Sequence, residues 1–204
     1  MLCAGCTGAG KAEAGDSRGE IAGIRENSVG DRFVIALAGN PNAGKSTVFN
    51  ALTGAQQHVG NWPGKTVKSR RGHFKVDGHI IEVVDLPGMY SLSGFTEEQE
   101  IGLEYLLKGE TELVVLVVDA SNLERNLYLA LQILELELPV IIALNMNDLA
   151  VRQGDRIDIE ALSQKLGGLR IIPTTATKGH GLDRLKLEMV DALGFPKTHR
   201  AVEI

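Results

Sequence analysis

The chain has 204 residues, a formal net charge of -5 and 44% hydrophobic residues, which suits one large domain or one domain with a tail. The acidic balance weighs against a nucleic-acid-binding protein, which usually carries a basic surface. The only two cysteines, Cys3 and Cys6, exclude a disulfide framework and fit a reducing cytoplasm. The sequence shows neither a signal peptide nor an apolar run of about 20 residues, the length of a membrane span.

Along the chain, apolar runs alternate with helix-like segments from residue 31 to 195, which predicts one domain. Residues 1–30 lack periodicity and are predicted to be a flexible tail, and residues 196–204 a C-terminal linker. Strands are predicted at 32–39, in a hairpin that turns at Asp77–Gly78, and in ELVVLVVDA, LPVIIALN and LRIIPTTA. Helices are predicted at 44–54, after an N-cap at Thr96, in SNLERNLYLALQILELE, and in two segments that end at Gly167 and Gly194.

The strands outside the hairpin are continuous apolar runs, a pattern typical of strands that are buried on both faces. We therefore predict an α/β fold with a mostly parallel six-stranded sheet, one antiparallel edge hairpin and helices on both faces. In such a sheet the ligand lies at the carboxyl ends of the strands.

Two stretches share the spacing of a phosphate-binding loop: GCTGAGKA at 5–12 and GNPNAGKS at 39–46. Such a loop needs inward backbone N–H groups, a helix N-terminus, a lysine for the outer phosphates and a hydroxyl for Mg²⁺. The second stretch follows a strand, begins a helix and ends in Lys45 and Ser46. The first follows no strand and ends in Ala12, whose side chain cannot bind a metal. We interpret the second as the phosphate-binding loop and the first as a chance product of composition.

The segment VVDLPG ends a strand about 40 residues after this loop. Asp85 is expected to hold Mg²⁺ through a water molecule, and the Gly88 N–H to contact the γ-phosphate. Between the two lies HVGNWPGKTV (58–67), predicted to be a loop, in which Thr66 is the candidate second hydroxyl ligand of Mg²⁺. For Trp62, the only tryptophan, two interpretations stay open: a hydrophobic cover on the loop or a direct nucleotide contact.

Two later segments predict the choice of base. In LNMND, Asn145 and Asp148 form an N-x-x-D pattern, and the Asp148 carboxylate can accept from guanine N1–H and N2–H, a donor pair that adenine lacks. In PTTATKG, the Ala176 N–H is predicted to donate to guanine O6, with Thr175 and Thr177 supporting the turn.

In this order and spacing the segments resemble Ras-like P-loop GTPases of the translation-factor-related class. More narrowly, GNPNAGKSTVFNALTG, VGNWPGKTV and VVDLPGMYSLSGFTEEQE are similar to the cytosolic G domain of the ferrous iron transport protein B family, over residues 32 to about 195. The resemblance implies a GTP switch that serves Fe²⁺ entry. It also implies a membrane-embedded permease domain as partner, which places the chain at the inner face of the cytoplasmic membrane.

Two positions depart from most GTPases. Met146 replaces a lysine of the guanine motif, and Met89 replaces the glutamine that orients the attacking water, so basal hydrolysis is expected to be slow. The GTPases that this sequence resembles include potassium-stimulated members with Asn at the position of Asn42, which makes its side-chain oxygen a candidate K⁺ ligand. The alternative is that Asn42 only caps the loop through its own backbone hydrogen bonds.

The residues assigned to GTP or GDP binding are Gly39, Asn40, Pro41, Asn42, Ala43, Gly44, Lys45, Ser46, Gly64, Lys65, Thr66, Val67, Asp85, Leu86, Pro87, Gly88, Asn145, Met146, Asn147, Asp148, Thr175, Ala176 and Thr177. Catalytic roles are assigned to Asn42, Thr66 and Gly88. The expected ligands are Ser46, Thr66 and Asp85 for Mg²⁺, and Asn42 for K⁺.

The sequence leaves other functions open. A ribosome- or tRNA-associated GTPase predicts a basic surface or an RNA-binding module, and this acidic sequence shows neither. A regulatory module with negligible turnover is a further alternative, as is a homo-oligomer. A P-loop kinase is disfavoured because it has no use for Asn145 and Asp148. Cys3 and Cys6 are interpreted as part of an inert tail, with thiol-mediated dimerisation or metal delivery as alternatives, since two thiolates fill only half of a tetrahedral site.

Overall fold

The structure is a computed structural model that describes residues 32–54, 56–76 and 79–194 and the backbone of Val202–Glu203. The predicted tail with Cys3 and Cys6, the GCTGAGKA stretch and the turn at Asp77–Gly78 lie outside the described residues. No helix in the described ranges is both long and apolar enough to cross a membrane.

The described residues alternate between strands and helices, as the sequence predicts. The strands are β1 (Arg32–Gly39), β2 (Gln57–Asn61), β3 (Lys68–Val76), β4 (His79–Asp85), β5 (Leu113–Asp119), β6 (Val140–Asn145), β7 (Arg170–Pro173) and the short β8 (Val202–Glu203). The helices are α1 (Lys45–Thr53), α2 (Glu97–Leu107), α3 (Leu123–Leu134), α4 (Asn147–Gln153), α5 (Ile159–Lys165) and α6 (Leu182–Ala192), with single 3₁₀ turns at Ala120–Asn122 and Ala176–Lys178.

The sheet has the order β2-β3-β4-β1-β5-β6-β7, and β8 pairs with the outer edge of β3. From β4 to β7 all neighbouring strands are parallel, whereas β2, β3 and β4 are antiparallel. The mostly parallel sheet with an antiparallel edge is therefore confirmed. Because β1, β4, β6 and β7 run in the same direction, the loops that follow them meet at one edge of the sheet.

The predicted number of six strands is wrong, because the sheet also contains β2 and β8, and the predicted loop at 58–67 is wrong at β2. Every residue of β2 is exposed, so the strand carries no apolar alternation by which the sequence could reveal it. Backbone pairing alone defines it, with Gln57 opposite Gly72 and Asn61 opposite Lys68. Helix α4 was also not predicted, because Ala150 is its only buried residue.

The core is divided by the sheet into two apolar layers, as expected for strands that are buried on both faces. Six of the seven residues of β5 are buried, which explains its continuous apolar sequence. One layer contains Phe49 and Leu52 of α1, and the other contains Tyr105 of α2 and Leu129 of α3. Full burial of one such side chain stabilises the fold by about 1.5–3 kcal/mol.

The predicted helix ends are confirmed where capping chemistry marks them. Thr96 is the N-cap of α2, and its side chain accepts a hydrogen bond from the Gln99 N–H at 3.3 Å. Gly167 and Gly194 follow α5 and α6 in the left-handed conformation, with φ of 77° and 82°.

Candidate nucleotide-binding site

The segment between β1 and α1 has the backbone of a phosphate-binding loop. Asn42 and Gly44 both adopt positive φ, at 67° and 86°, so the chain turns sharply before α1 begins at Lys45. A Cβ atom at Gly44 would lie 2.2 Å from Nδ2 of Asn145, so only glycine fits there. The N-terminus of α1 therefore begins directly at the loop, and a helix N-terminus is suited to binding phosphate.

A groove with a volume of about 700 Å³ lies over this loop. Its walls come from the phosphate loop, the end of loop 62–67, the segment after β4 and the first turns of α2 and α4. The lining residues are Asn40, Pro41, Asn42, Gly44, Lys45, Ser46, Thr47, Val67, Lys68, Pro87, Gly88, Glu98 and Met146. Sequence reasoning missed Thr47, Lys68 and Glu98. Glu98 could have been found from its place in the acidic first turn of the predicted helix after Thr96.

Lys45, which lines the groove, forms an ion pair with Asp85, which does not line it. Lys45 is 9% exposed and Asp85 is 7% exposed, so neither charge is well solvated. Each charge is stabilised mainly by the opposite charge of its partner, because burying a lone charge away from water is energetically costly. The pair brings together two residues that sequence reasoning assigned to the phosphates and to Mg²⁺.

The segment Asp85–Gly88 is fastened to the end of β1 by backbone hydrogen bonds. Leu86 N–H donates to the Leu37 carbonyl at 3.0 Å, and Met89 N–H to the Gly39 carbonyl at 3.2 Å. The Met89 side chain is 1% exposed and packs against Gly102 of α2. It therefore points into the core and cannot orient a water molecule at the phosphates, in agreement with the prediction.

The side chains of loop 62–67 form hydrogen bonds with α2. Thr66 Oγ1 donates to Oε2 of Glu97 at 3.3 Å, and Lys65 Nζ donates to Oε2 of Glu100 at 2.6 Å. This contact raises the pKa of Lys65. Of the predicted residues in this loop, Val67 lines the groove, whereas Gly64, Lys65 and Thr66 do not. The structure therefore does not bring Thr66 to Ser46, as a shared magnesium site requires.

Trp62 is buried, with 7% of its surface exposed, and belongs to the apolar layer that contains α2 and α3. Its ring meets that of Tyr105 edge to face at 5.3 Å. Of the two interpretations of Trp62, the structure agrees with the hydrophobic cover.

Asn145 ties three segments together beneath the groove. Its Nδ2 donates to the Ala43 carbonyl at 2.9 Å, and its Oδ1 accepts from Thr174 Oγ1 at 3.3 Å and from the Ala176 N–H at 3.1 Å. Asn145 is 3% exposed, and a buried amide requires partners at both ends. In this structure the Ala176 N–H donates to Asn145 Oδ1, and its predicted donation to guanine O6 stays a prediction. Thr175 is buried beside Ala176, and Thr177 is exposed.

Asp148 lies on the first turn of α4 with its carboxylate held by two cations. Its Oδ2 accepts from Lys178 Nζ at 2.7 Å and from Arg152 Nη2 at 3.1 Å. The hydrogen bond from Lys178 lowers the pKa of Asp148, so the carboxylate is ionised at neutral pH. This is the protonation state that reading guanine N1–H and N2–H requires. Met146 adopts a φ of 59°, and its methyl group lies over Gly44 as an apolar part of the wall.

Known proteins with similar sequences and structures agree with a nucleotide-binding site at this position. A family model described as "Ferrous iron transport protein B" matches residues 33–189. The Fe(2+) transporter FeoB of Shigella flexneri is 51% identical over 160 residues, covering 76% of this chain and 21% of the transporter. The solved G domain of the T. maritima FeoB iron transporter is 44% identical with a TM-score of 0.74, covering 79% of this chain and 99% of that one. The cytosolic domain of the same transporter in its GMPPNP form is 45% identical with a TM-score of 0.75, covering 78% and 63%.

The chain spans about one fifth of the length of the curated relatives it matches. The matched residues run from β1 to α6 and include the phosphate loop, the Asp85–Gly88 segment and the Asn145–Asp148 motif. The chain therefore belongs to the ferrous iron transport protein B family, and it has the fold of that family's G domain.

Proposed function

We propose that this chain binds GTP, hydrolyses it to GDP and phosphate, and thereby serves Fe²⁺ transport across the cytoplasmic membrane. The observation that carries the proposal is the groove over the phosphate loop, which is lined by Lys45, the partner of Asp85 in a buried ion pair. The T. maritima relative in its GMPPNP form supports a guanine nucleotide as the ligand.

Each part of the nucleotide has a matching part of the chain. The backbone N–H groups of residues 42–46 at the N-terminus of α1 bind the phosphates, and the Lys45 ammonium exchanges its partner Asp85 for a phosphate oxygen. The Asp148 carboxylate selects guanine over adenine. Met146 supplies an apolar surface for the base plane where a lysine stands in most GTPases.

The oxygen atoms around the groove fit Mg²⁺, which prefers carboxylate and hydroxyl oxygen ligands and retains several waters. Ser46 is exposed on the groove wall, and the Asp85 carboxylate lies beside Lys45. Bound Mg²⁺ supplies neutralisation of negative charge on the phosphate oxygens. Thr66 can join this set only by releasing Glu97, so we propose that loop 62–67 leaves α2 in the GTP-bound state.

Catalysis has to proceed without a side chain at position 89, since Met89 is buried against Gly102. We propose that backbone groups of residues 58–67 and the Gly88 N–H position the attacking water, which gives a slow basal rate. Asn42 is exposed on the groove wall, and its amide oxygen is a suitable ligand for K⁺. Faster turnover in potassium is therefore part of the proposal.

The partner that we propose is the membrane-embedded permease part of the family's longer proteins, which places this domain at the inner face of the membrane. A ribosome- or tRNA-associated GTPase is less well supported, because the net charge is -5 and the matched family is one of iron transporters.

Titration calorimetry with GTP, GDP and ATP tests the proposal, together with phosphate release from GTP. We expect GTP and GDP to bind in the presence of Mg²⁺, and ATP to bind at least about a hundredfold more weakly, because adenine lacks the N1–H and N2–H donors that the Asp148 carboxylate accepts from guanine. Lys45→Met should lose GTP binding and hydrolysis. Equal affinity for ATP and GTP would contradict the assignment, and binding without phosphate release would favour the regulatory module.

A further inference from the structure

Two hydrogen bonds connect the Asn145–Asp148 motif to the turn that follows β7. The inner one joins Asn145 Oδ1 to the Ala176 N–H at 3.1 Å and is buried. The outer one joins Asp148 Oδ2 to Lys178 Nζ at 2.7 Å and is exposed to solvent. The inner bond belongs to the framework of the fold, whereas the outer bond holds the carboxylate to which reading of the base is assigned.

We propose that Lys178 is a positioning residue that sets guanine selectivity and the rate of nucleotide release, by holding the Asp148 carboxylate toward the base site. This inference rests on the proposed binding of guanine nucleotides, and it names a residue of the PTTATKG segment that is not among those assigned to nucleotide binding.

The position of Lys178 in the fold makes it suited to this task. It ends a single 3₁₀ turn that is closed by the Lys178 N–H donating to the Thr175 carbonyl at 2.9 Å. The Thr175 N–H in turn donates to the His180 carbonyl at 3.0 Å, which fixes the return of the chain. Gly179 follows with a φ of 74°. Lys178 therefore projects from a rigid turn toward α4.

Arg152 is the second cation on Asp148, but it cannot perform the same function. It lies four residues further along α4, so it moves with the same helix and fixes the carboxylate only relative to that helix. Lys178 comes from a different element, 30 residues away in sequence. It therefore ties the orientation of the carboxylate to the segment around Ala176. Without Lys178, we expect the Asp148 carboxylate to turn toward Arg152, along the surface of α4.

The geometry of the contact leaves the carboxylate able to bind guanine. Both side-chain partners of Asp148 donate to Oδ2, and neither occupies Oδ1. The side chains of Lys178 and Asp148 are 48% and 30% exposed, so the pair is screened by solvent and adds little to global stability. Its removal should change nucleotide selectivity and release without unfolding the chain.

The test compares GDP with inosine diphosphate, which lacks the 2-amino group that guanine donates to Asp148. Affinities for both, and the dissociation rate of a fluorescent GDP analogue, are measured for the full chain and for Lys178→Met, Lys178→Arg, Arg152→Met and Arg184→Met. Arg184 lies on α6 in an exposed pair with Glu188 and serves as the control for loss of one positive charge.

For Lys178→Met we expect about tenfold faster release and a preference for GDP over inosine diphosphate that falls by a similar factor. Lys178→Arg should recover most of the preference, and Arg152→Met and Arg184→Met should retain it. Thermal unfolding of the nucleotide-free variants should be unchanged.

Wild-type selectivity and release in Lys178→Met would overturn the inference, as would equal losses in all of the charge-removing variants. If the wild-type chain bound neither diphosphate, the proposed function and this inference would both fail. Wild-type binding of GDP with an unaltered Lys178→Met variant would remove the inference alone.

Discussion

The indole of Trp62 and the phenol ring of Tyr105 meet edge to face, with ring centroids 5.3 Å apart and an angle of 71° between their planes. Together with the hydrogen bonds from Lys65 to Glu100 and from Thr66 to Glu97, this contact joins loop 62–67 to α2. Movement of Thr66 toward a magnesium ion has to break the bond to Glu97. Because Trp62 lies in the same loop and contacts Tyr105 of α2, its fluorescence should report the proposed movement of the loop away from α2.

We expect the fluorescence of Trp62 to differ between the GDP and GTP-analogue states. Trp62 is the only tryptophan and is 7% exposed in this structure, so its emission should be that of a buried indole until the loop leaves α2. A GTP analogue with Mg²⁺ should shift the emission to longer wavelength. Tyr105→Phe keeps the ring contact and serves as a control. Identical spectra in both nucleotide states would count against a switch in this loop.

Asp148→Asn should exchange the preferred base. The carboxylate accepts from guanine N1–H and N2–H, whereas an asparagine amide also donates, which suits the O2 acceptor of xanthine. We expect GTP affinity to fall by about tenfold or more and xanthosine triphosphate to become the better ligand. Competition binding with both triphosphates measures the exchange. A variant that still prefers GTP would show that another group reads the base.

Potassium should raise the rate of GTP hydrolysis several-fold over sodium at equal ionic strength. Sodium is the smaller ion, and we expect it not to contact the side chain of Asn42 and the carbonyl oxygens of residues 58–67 together. Asn42→Ala should lose the difference between the two salts and largely retain GDP affinity. Phosphate release in KCl and NaCl provides the measurement. Equal wild-type rates would direct the search to a partner protein that supplies positive charge.

Lys45→Met should destabilise the nucleotide-free chain. The Asp85 carboxylate is 7% exposed and loses its cation, and removing one member of a buried pair typically costs about 3–5 kcal/mol. Urea unfolding monitored by circular dichroism gives the change in free energy. The double variant with Asp85→Asn should recover part of the loss, because no unpaired charge is left. A single variant as stable as the wild type would show that water reaches the carboxylate freely.

Lys186→Met should stabilise the chain. Lys186 is 3% exposed, and its Nζ lies 5.6 Å from the centroid of the Phe74 ring. Burial lowers the pKa of Lys186 from the ordinary 10.5. In the window between the lowered pKa and 10.5 the unfolded chain binds more protons than the folded one, so wild-type stability falls as the pH decreases. The advantage of the variant should be full below that window and absent above pH 10.5. Thermal unfolding across pH measures it, and an advantage that is independent of pH would assign the gain to packing.

The sequence by itself determined the alternation of strands and helices, the parallel sheet and the segments that line the groove. These features are local: burial on both faces produces an apolar run in β5, and the phosphate loop is set by the residues from Gly39 to Ser46. The capping residue Thr96 and the closing glycines are local signals of the same kind.

Only the tertiary structure decided which polar groups meet across the site. Thr66 and Glu97 are 31 residues apart, and Ala43 and Asn145 are 102 residues apart, so no periodicity records these contacts. The same holds for Lys178, whose role depends on the turn that brings it to Asp148. The strand β2 likewise depends on backbone bonds to β3, which any exposed sequence can make. Hydrophobic patterns report which face is buried, whereas hydrogen-bond partners are chosen by the distances that the packed fold creates.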